Sequence, residues 1–145
     1  MTRILGRLRT LSPAERRLVA EASFALAVAR LAIAFFPFRM IAASAARHIA
    51  CAAIGEEKRR RQVAQVRWAV AACARRVPWR AKCFEQGLAA QWMLSRRLIP
   101  SRLHYGIAKG GDQKLIAHVW LEAGQLEVVG CDNKDDFTEL ASFPG

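Results

Sequence analysis

The chain has 145 residues, enough for one compact domain and short for two, and its 53% hydrophobic, 24% charged composition excludes general disorder. Lys and Arg number 23 against 12 Asp and Glu, a net charge of +11; residues 1–82 carry that excess (17 basic, 4 acidic), whereas 83–145 are slightly acidic (6 basic, 8 acidic). The cysteines at 51, 73, 83 and 131 form no Cys-x-x-Cys pair, which excludes a zinc finger or thioredoxin-type motif; no metal and no other cofactor is expected.

Ser12-Pro13-Ala14-Glu15 reads as a capping box with Pro at the first helical position. The helix it opens runs through Leu18–Phe35 and ends before Pro37. A second helix over Phe38–Ile54 is expected to stop at Gly55. Residues 18–54 are apolar enough for a membrane span to be weighed. Glu21 and Arg30 in the first stretch would each cost roughly 2.5–3.5 kcal/mol near mid-bilayer, and Arg39, Arg47 and His48 spoil the second. A buried helical hairpin, with some surface left for a partner, fits better. Contact with a membrane surface is compatible with it; an integral span is not expected. No signal peptide is read, and a reducing cytoplasm is the expected setting.

A third helix starts at Glu56–Arg61, with Val63, Val66, Val70, Cys73 and Val77 as its apolar stripe, and Pro78 ends it. Its run Lys58-Arg59-Arg60-Arg61 reads as a solvated helix face, so no nucleic-acid partner is expected. Cys83–Arg97 is a fourth helix with Leu88, Trp92 and Leu98 inward. The period then switches to two over Ser101–Ala108 and again over Leu115–Glu122, with a turn at Gly110-Gly111-Asp112. Ala123-Gly124 turns the chain into Gln125–Val129. The expected fold class is α+β: about three helices, then a catalytic helix packed on a small antiparallel meander of three strands. One domain spans 1–145, with a helical region at 1–77 and a catalytic region at 78–145.

Cys83 is placed at a helix start, preceded by Arg80 and Lys82, where free backbone amides and cations favour a thiolate. His118 sits mid-strand, on the face opposite the aliphatic run. A helix start packed over a meander can aim a cysteine at such a histidine, and a third group would orient the imidazole. Asp132, just past the next strand, is the chosen third member, with Glu127 as fallback. A bulge near Gly130 would bring Asp132 toward the ring. Against this stands the plainer reading, in which Cys83 is a small buried residue and His118 a hydrogen-bonded strand histidine. Cys131 follows a strand and lacks activating amides, His48 falls in an apolar helical tract, and no glycine-rich phosphate loop is present.

The stretches Val77-Pro78-Trp79-Arg80-Ala81-Lys82-Cys83-Phe84-Glu85-Gln86-Gly87-Leu88, Leu94-Ser95-Arg96-Arg97-Leu98-Ile99-Pro100 and Ala117-His118-Val119-Trp120-Leu121-Glu122 resemble the leader-removing cysteine protease of lasso-peptide biosynthesis, within the transglutaminase-like superfamily. The long Ala/Leu helix ending in Pro37-Phe38-Arg39 resembles that family's opening as well. The resemblance implies a transglutaminase/papain-like fold with Cys83 as nucleophile, His118 as general base and Asp132 as orienting acid. It implies cleavage of the leader from a ribosomally made lasso precursor, ahead of macrolactam closure by an ATP-dependent, asparagine-synthetase-like cyclase. Two departures stand out. Leu-Pro-Arg is common after the family cysteine, whereas Phe84-Glu85-Gln86 stands here. This chain also has no room for the winged-helix-type leader-binding domain of many relatives, which a separate polypeptide would supply.

Overall fold

The computed structural model describes residues 11–45, 53–112 and 114–144. Helix α1 (Pro13–Phe35) begins where local chemistry demands it. The Ser12 amide donates to Glu15 Oε2 at 2.7 Å and the Glu15 amide donates to Ser12 Oγ at 3.2 Å, which closes the capping box. It ends at Phe36, held extended ahead of Pro37. Helix α2 follows as Phe38–Ala45; the expected continuation through residues 46–52, with His48 and Cys51, lies outside the described residues. Gly55 does not terminate a helix in the left-handed region. It is extended (φ −59°, ψ 148°) and caps the start of α3 (Glu56–Ala74). Val63, Val66, Val70 and Cys73 form the buried stripe of α3.

Helix α4 spans Cys83–Ser95 and closes sooner than expected. Leu98 adopts φ +54°, which folds the chain back so that the Ile99 amide donates to Leu94 O at 3.1 Å. Ile99 is thereby buried and Leu98 exposed, the reverse of the inward place expected for Leu98. Four strands follow: β1 (Arg102–Lys109), β2 (Leu115–Ala123), β3 (Leu126–Val129) and β4 (Thr138–Pro144), in the antiparallel order β3-β2-β1-β4. The meander is therefore extended by one strand, β4, which returns after a 3-10 turn at Lys134–Asp136 and pairs with the other side of β1. The β2–β3 turn is Gly124-Gln125, one residue later than expected. Ala123 pairs with Leu126, and Gly124 takes the φ of +65° that the turn requires.

One sheet face carries Leu103, Val119, Leu121 and Ala123 onto α4. The approach is close at Gly87, where a Cβ would stand 2.7 Å from Leu103 Cδ1 and 3.2 Å from Val119 Cγ1. Leu88, Met93 and Leu94 of α4 fill the layer below, and α1 lies across it through Leu18, Ala22, Ala25, Leu26 and Ala29. Each fully buried leucine contributes roughly 1.5–3 kcal/mol.

By length and composition α1 could cross a membrane, yet Glu21 and Arg30 within it are both paired with α4 or the turn that follows it. Arg97 donates to Glu21 through both terminal nitrogens (2.9 and 2.6 Å), and Arg30 Nη1 donates to Glu85 Oε1 at 2.9 Å. The Arg97 bonds hold the Glu21 carboxyl below its usual 4.5. A carboxyl depressed on folding adds stability above the unfolded value and loses it as pH falls. Glu21→Gln is therefore expected to cost about 1–2 kcal/mol at pH 7 and progressively less below pH 4.5. Urea melts at pH 7 and pH 3.5 measure this; an equal penalty at both pH values counts against the ion pair.

Candidate active site

Cys83 is the first residue of α4, with Lys82 as the N-cap, and it packs half-buried against the edge of the core. A helix start carries backbone amides without intrahelical partners, here beside the Cys83 side chain. Two residues on, Glu85 is 2% exposed. The Arg30 guanidinium and the Trp79 indole N–H (3.2 Å) both donate to its carboxylate, so the first turn of α4 is pinned to α1 and to the preceding loop. Gln86 Nε2 donates to Ala81 O at 2.9 Å and ties the same turn to the segment before it.

His118 stands on β2 between Ala117 and Val119. Alternation sends Val119 and Leu121 toward α4, and His118, Trp120 and Glu122 to the other face. The imidazole is bracketed by Phe137 (centroids 4.8 Å apart) and Trp120 (6.2 Å). Its Nε2 lies 2.7 Å from Gly130 O. A carbonyl only accepts, so Nε2 carries the proton and Nδ1 is left as the basic nitrogen.

The acceptor for His118 is thus a backbone carbonyl in the place expected for Asp132. The reason is local. Gly130 sits at φ +69°, close enough to β2 that a Cβ would stand 2.6 Å from Val119 O and 3.3 Å from the imidazole. That conformation points its carbonyl at the ring, and the chain then turns outward, leaving Asp132 exposed with no hydrogen bond to His118. The expected bulge is present two residues earlier: Leu121 faces Val129 while Glu122 faces Glu127, which makes Val128 the extra residue. Glu127, the fallback, is held elsewhere. Lys134 Nζ lies 3.1 Å from it and 2.5 Å from Glu122, and these two carboxylates push the lysine pKa upward.

Gly130, Cys131 and Asp132 line a cleft of about 210 Å³ together with Gln86, Arg67 and Ala71. Gly130 therefore touches the imidazole on one side and faces the first turn of α4 across the cleft on the other. Among the described residues no hydrogen bond joins Cys83 to His118. Cys131 is buried, its thiol donates to Leu121 O and Val129 O, and burial raises its pKa, so it stands as a structural thiol. Cys73 is likewise buried, between Ser23 and Val19. Sequence reasoning missed Gly130 as the acceptor, because a carbonyl has no residue type to read. It also missed Phe137 against the ring, although an aromatic just ahead of a β-alternating Thr138–Pro144 was a usable signal.

His104, on β1, repeats the layering. It stacks on Trp120 (5.2 Å, 3° between planes), and its Nδ1 lies 2.9 Å from Glu139 Oε2 on β4. Trp120 is thus held between two imidazoles, one bonded to a carboxylate and the other to the Gly130 carbonyl.

A search of the curated proteins and a search of the solved structures each gave no match. A sequence profile of the transglutaminase-like superfamily matches residues 24–142, a span that takes in most of α1, all of α4 with Cys83, and β2 with His118. On that match, and with four helices among the described residues backing a small antiparallel sheet, the chain belongs to the transglutaminase-like superfamily.

Proposed function

We propose that the protein is a cysteine peptidase that removes the leader from a ribosomally synthesised lasso-peptide precursor, with Cys83 as nucleophile and His118 as general base. The observation that supports this most is the Nε2–Gly130 bond. It fixes the tautomer that leaves Nδ1 free to accept a proton, and Gly130, the acceptor, also lines a cleft with Gln86 of the turn that Cys83 opens. In the reaction, Nδ1 takes the thiol proton as the sulfur bonds to the scissile carbonyl carbon. The C–N bond then breaks, and the imidazolium gives that proton to the leaving amine. Water, deprotonated by the same nitrogen, hydrolyses the thioester and frees the thiol. The Gly130 carbonyl holds the orienting position, with Asp132 at the rim of the cleft. The proposed partners are the precursor, a separate winged-helix-type leader-binding protein and the asparagine-synthetase-like cyclase. The test is mass spectrometry of the precursor incubated with this protein and the leader-binding partner; an uncleaved precursor overturns the proposal.

The missing Cys83–His118 hydrogen bond favours a second reading, a non-catalytic transglutaminase-like scaffold in a maturation complex. Hydrogen bonds of this kind are often loose without substrate. A thiol-reactive probe separates the two readings. Catalysis requires Cys83 to label far faster than Cys73 and Cys131, and His118→Ala to slow that labelling; a rate indifferent to His118 supports the scaffold.

Gly130→Ala is the sharpest check on the orienting carbonyl. The substitution costs about 1–2 kcal/mol for the left-handed backbone alone, and its Cβ would push on Val119 O and the imidazole. Cleavage is expected to fall more than about tenfold in protein that still melts cooperatively. Asp132→Asn, in an exposed turn, should cost less than tenfold. The reverse ranking of the two variants returns the orienting role to Asp132.

A further inference from the structure

Between Arg17 and Arg39 the only charged residues are Glu21 and Arg30, and both are paired, Glu21 with Arg97 and the half-exposed Arg30 with the buried Glu85. Beyond Arg17 the outer line of α1 is carried by apolar side chains. Arg17, Phe24 and Leu31 recur at steps of seven and Phe35 follows four later, so all four lie on one line opposite the buried Ala22–Ala29 side. Phe24 is 70% exposed, Leu31 55% and Phe35 76%, and Phe36 and Met40 prolong the exposed patch into α2. Large aromatic side chains held in water along a 23-residue helix are a cost that a soluble surface ordinarily avoids.

We infer that this face lies in the plane of an anionic membrane surface, as an interfacial and not a spanning anchor. Three observations select lipid headgroups and acyl chains as the occupant. Basic residues bracket the stripe, with Arg17 at one end and Arg39 at the other; Arg61 and the partly exposed Trp68 line a groove shared with Arg17. That is the arrangement of an apolar ridge seated in the acyl boundary with cations at the phosphates and an indole at the interface. The charge of +11, all of it carried by the excess in residues 1–82, adds attraction to anionic lipid and opposes pairing with a second copy of the chain. Finally, the ridge is a single convex helix, and lipid, unlike a protein partner, needs no pocket to receive it. Crossing the bilayer would require breaking the Glu21–Arg97 and Arg30–Glu85 pairs, which the in-plane arrangement keeps.

The test is flotation of the purified full chain with vesicles of phosphatidylcholine containing about 30% phosphatidylglycerol, against phosphatidylcholine alone, at low and high salt. Wild type is expected to float with the anionic vesicles, to be weakened by salt, and to be released by a carbonate wash. The variant Phe24→Gln/Leu31→Gln/Phe35→Gln changes exposed positions to a good helix former, so its circular dichroism should match wild type. Its partitioning should fall at least about tenfold, and Arg17→Glu/Arg39→Glu should lower binding to the anionic vesicles. Absence of wild-type flotation, equal flotation of the triple variant, or retention after carbonate overturns the inference. So does concentration-dependent dimerisation that the triple variant abolishes while vesicles bind neither form; that result gives the face to a second copy.

Discussion

Cys83→Ala is expected to abolish leader release, a loss on the order of 10⁴–10⁶-fold, the scale at which deleting the nucleophile of a cooperating hydrolytic site operates. Without the sulfur there is no acyl-enzyme, and neither of the other described thiols can replace it. Cys131 is closed off by Leu121 O and Val129 O, and Cys73 lies between α1 and α3. The half-buried Cβ remains in alanine, so the melting temperature should move by no more than a few degrees. Leader-cleavage rates by mass spectrometry, paired with a thermal melt, decide the matter. Near-wild-type cleavage in a folded C83A protein would remove Cys83 from the chemistry altogether.

His118→Ala is expected to lower the same rate by about 10²–10⁴-fold, the usual worth of a positioned general base. The variant also loses ring contacts with Phe137 and Trp120, about 0.5–1.5 kcal/mol each. A purely structural histidine would show that stability loss alone. Two further readouts separate the roles. Added imidazole should restore part of the H118A rate, and C83A/H118A should be no slower than C83A, because the two groups act as one unit. Additive losses, or no rescue, would make His118 a packing residue of the aromatic layer.

Some of this molecule is written in short stretches that a reader can follow directly. Ser12 through Glu15 specify a helix start by themselves, and Lys82-Cys83 opens another; α3 stops at Ala74, ahead of the Pro78 expected to end it. The alternation in 115–122 correctly set His118 on the face away from the aliphatic residues. What was not legible depends on backbone angles. The turn slipped by one residue because Gly124, and not Ala123, supplies the left-handed position. Gly55 looks like a helix terminator in sequence, yet its extended backbone makes it a cap for the next helix. Strand β4 escaped notice because Thr138, Glu139 and Ser142 make it polar, and it is held by pairing with β1 across a long separation in sequence. The acceptor for His118 is expected among carboxylates, where residue types can be read, whereas its Nε2 bonds the carbonyl of Gly130.

The brevity of β3 has a further consequence, for how this protein behaves when concentrated. Its last partner on β2 is Leu121, so among the described residues the outward edge of β2 from Leu115 to His118 carries no strand, and Leu115 and Ile116 are exposed there. An uncovered edge with apolar side chains is a template on which another extended chain can add by backbone hydrogen bonds. Lys109 and Lys114 stand at the β1–β2 end of this stretch, and the Gly130 turn crowds the other end against Val119 O. Two positive charges and a steep backbone departure restrict the free edge to Leu115–His118, too short for a fibril-forming pair to lengthen easily. The geometry that presents a carbonyl to His118 is thereby expected to limit edge-to-edge pairing at the sheet's open side as well.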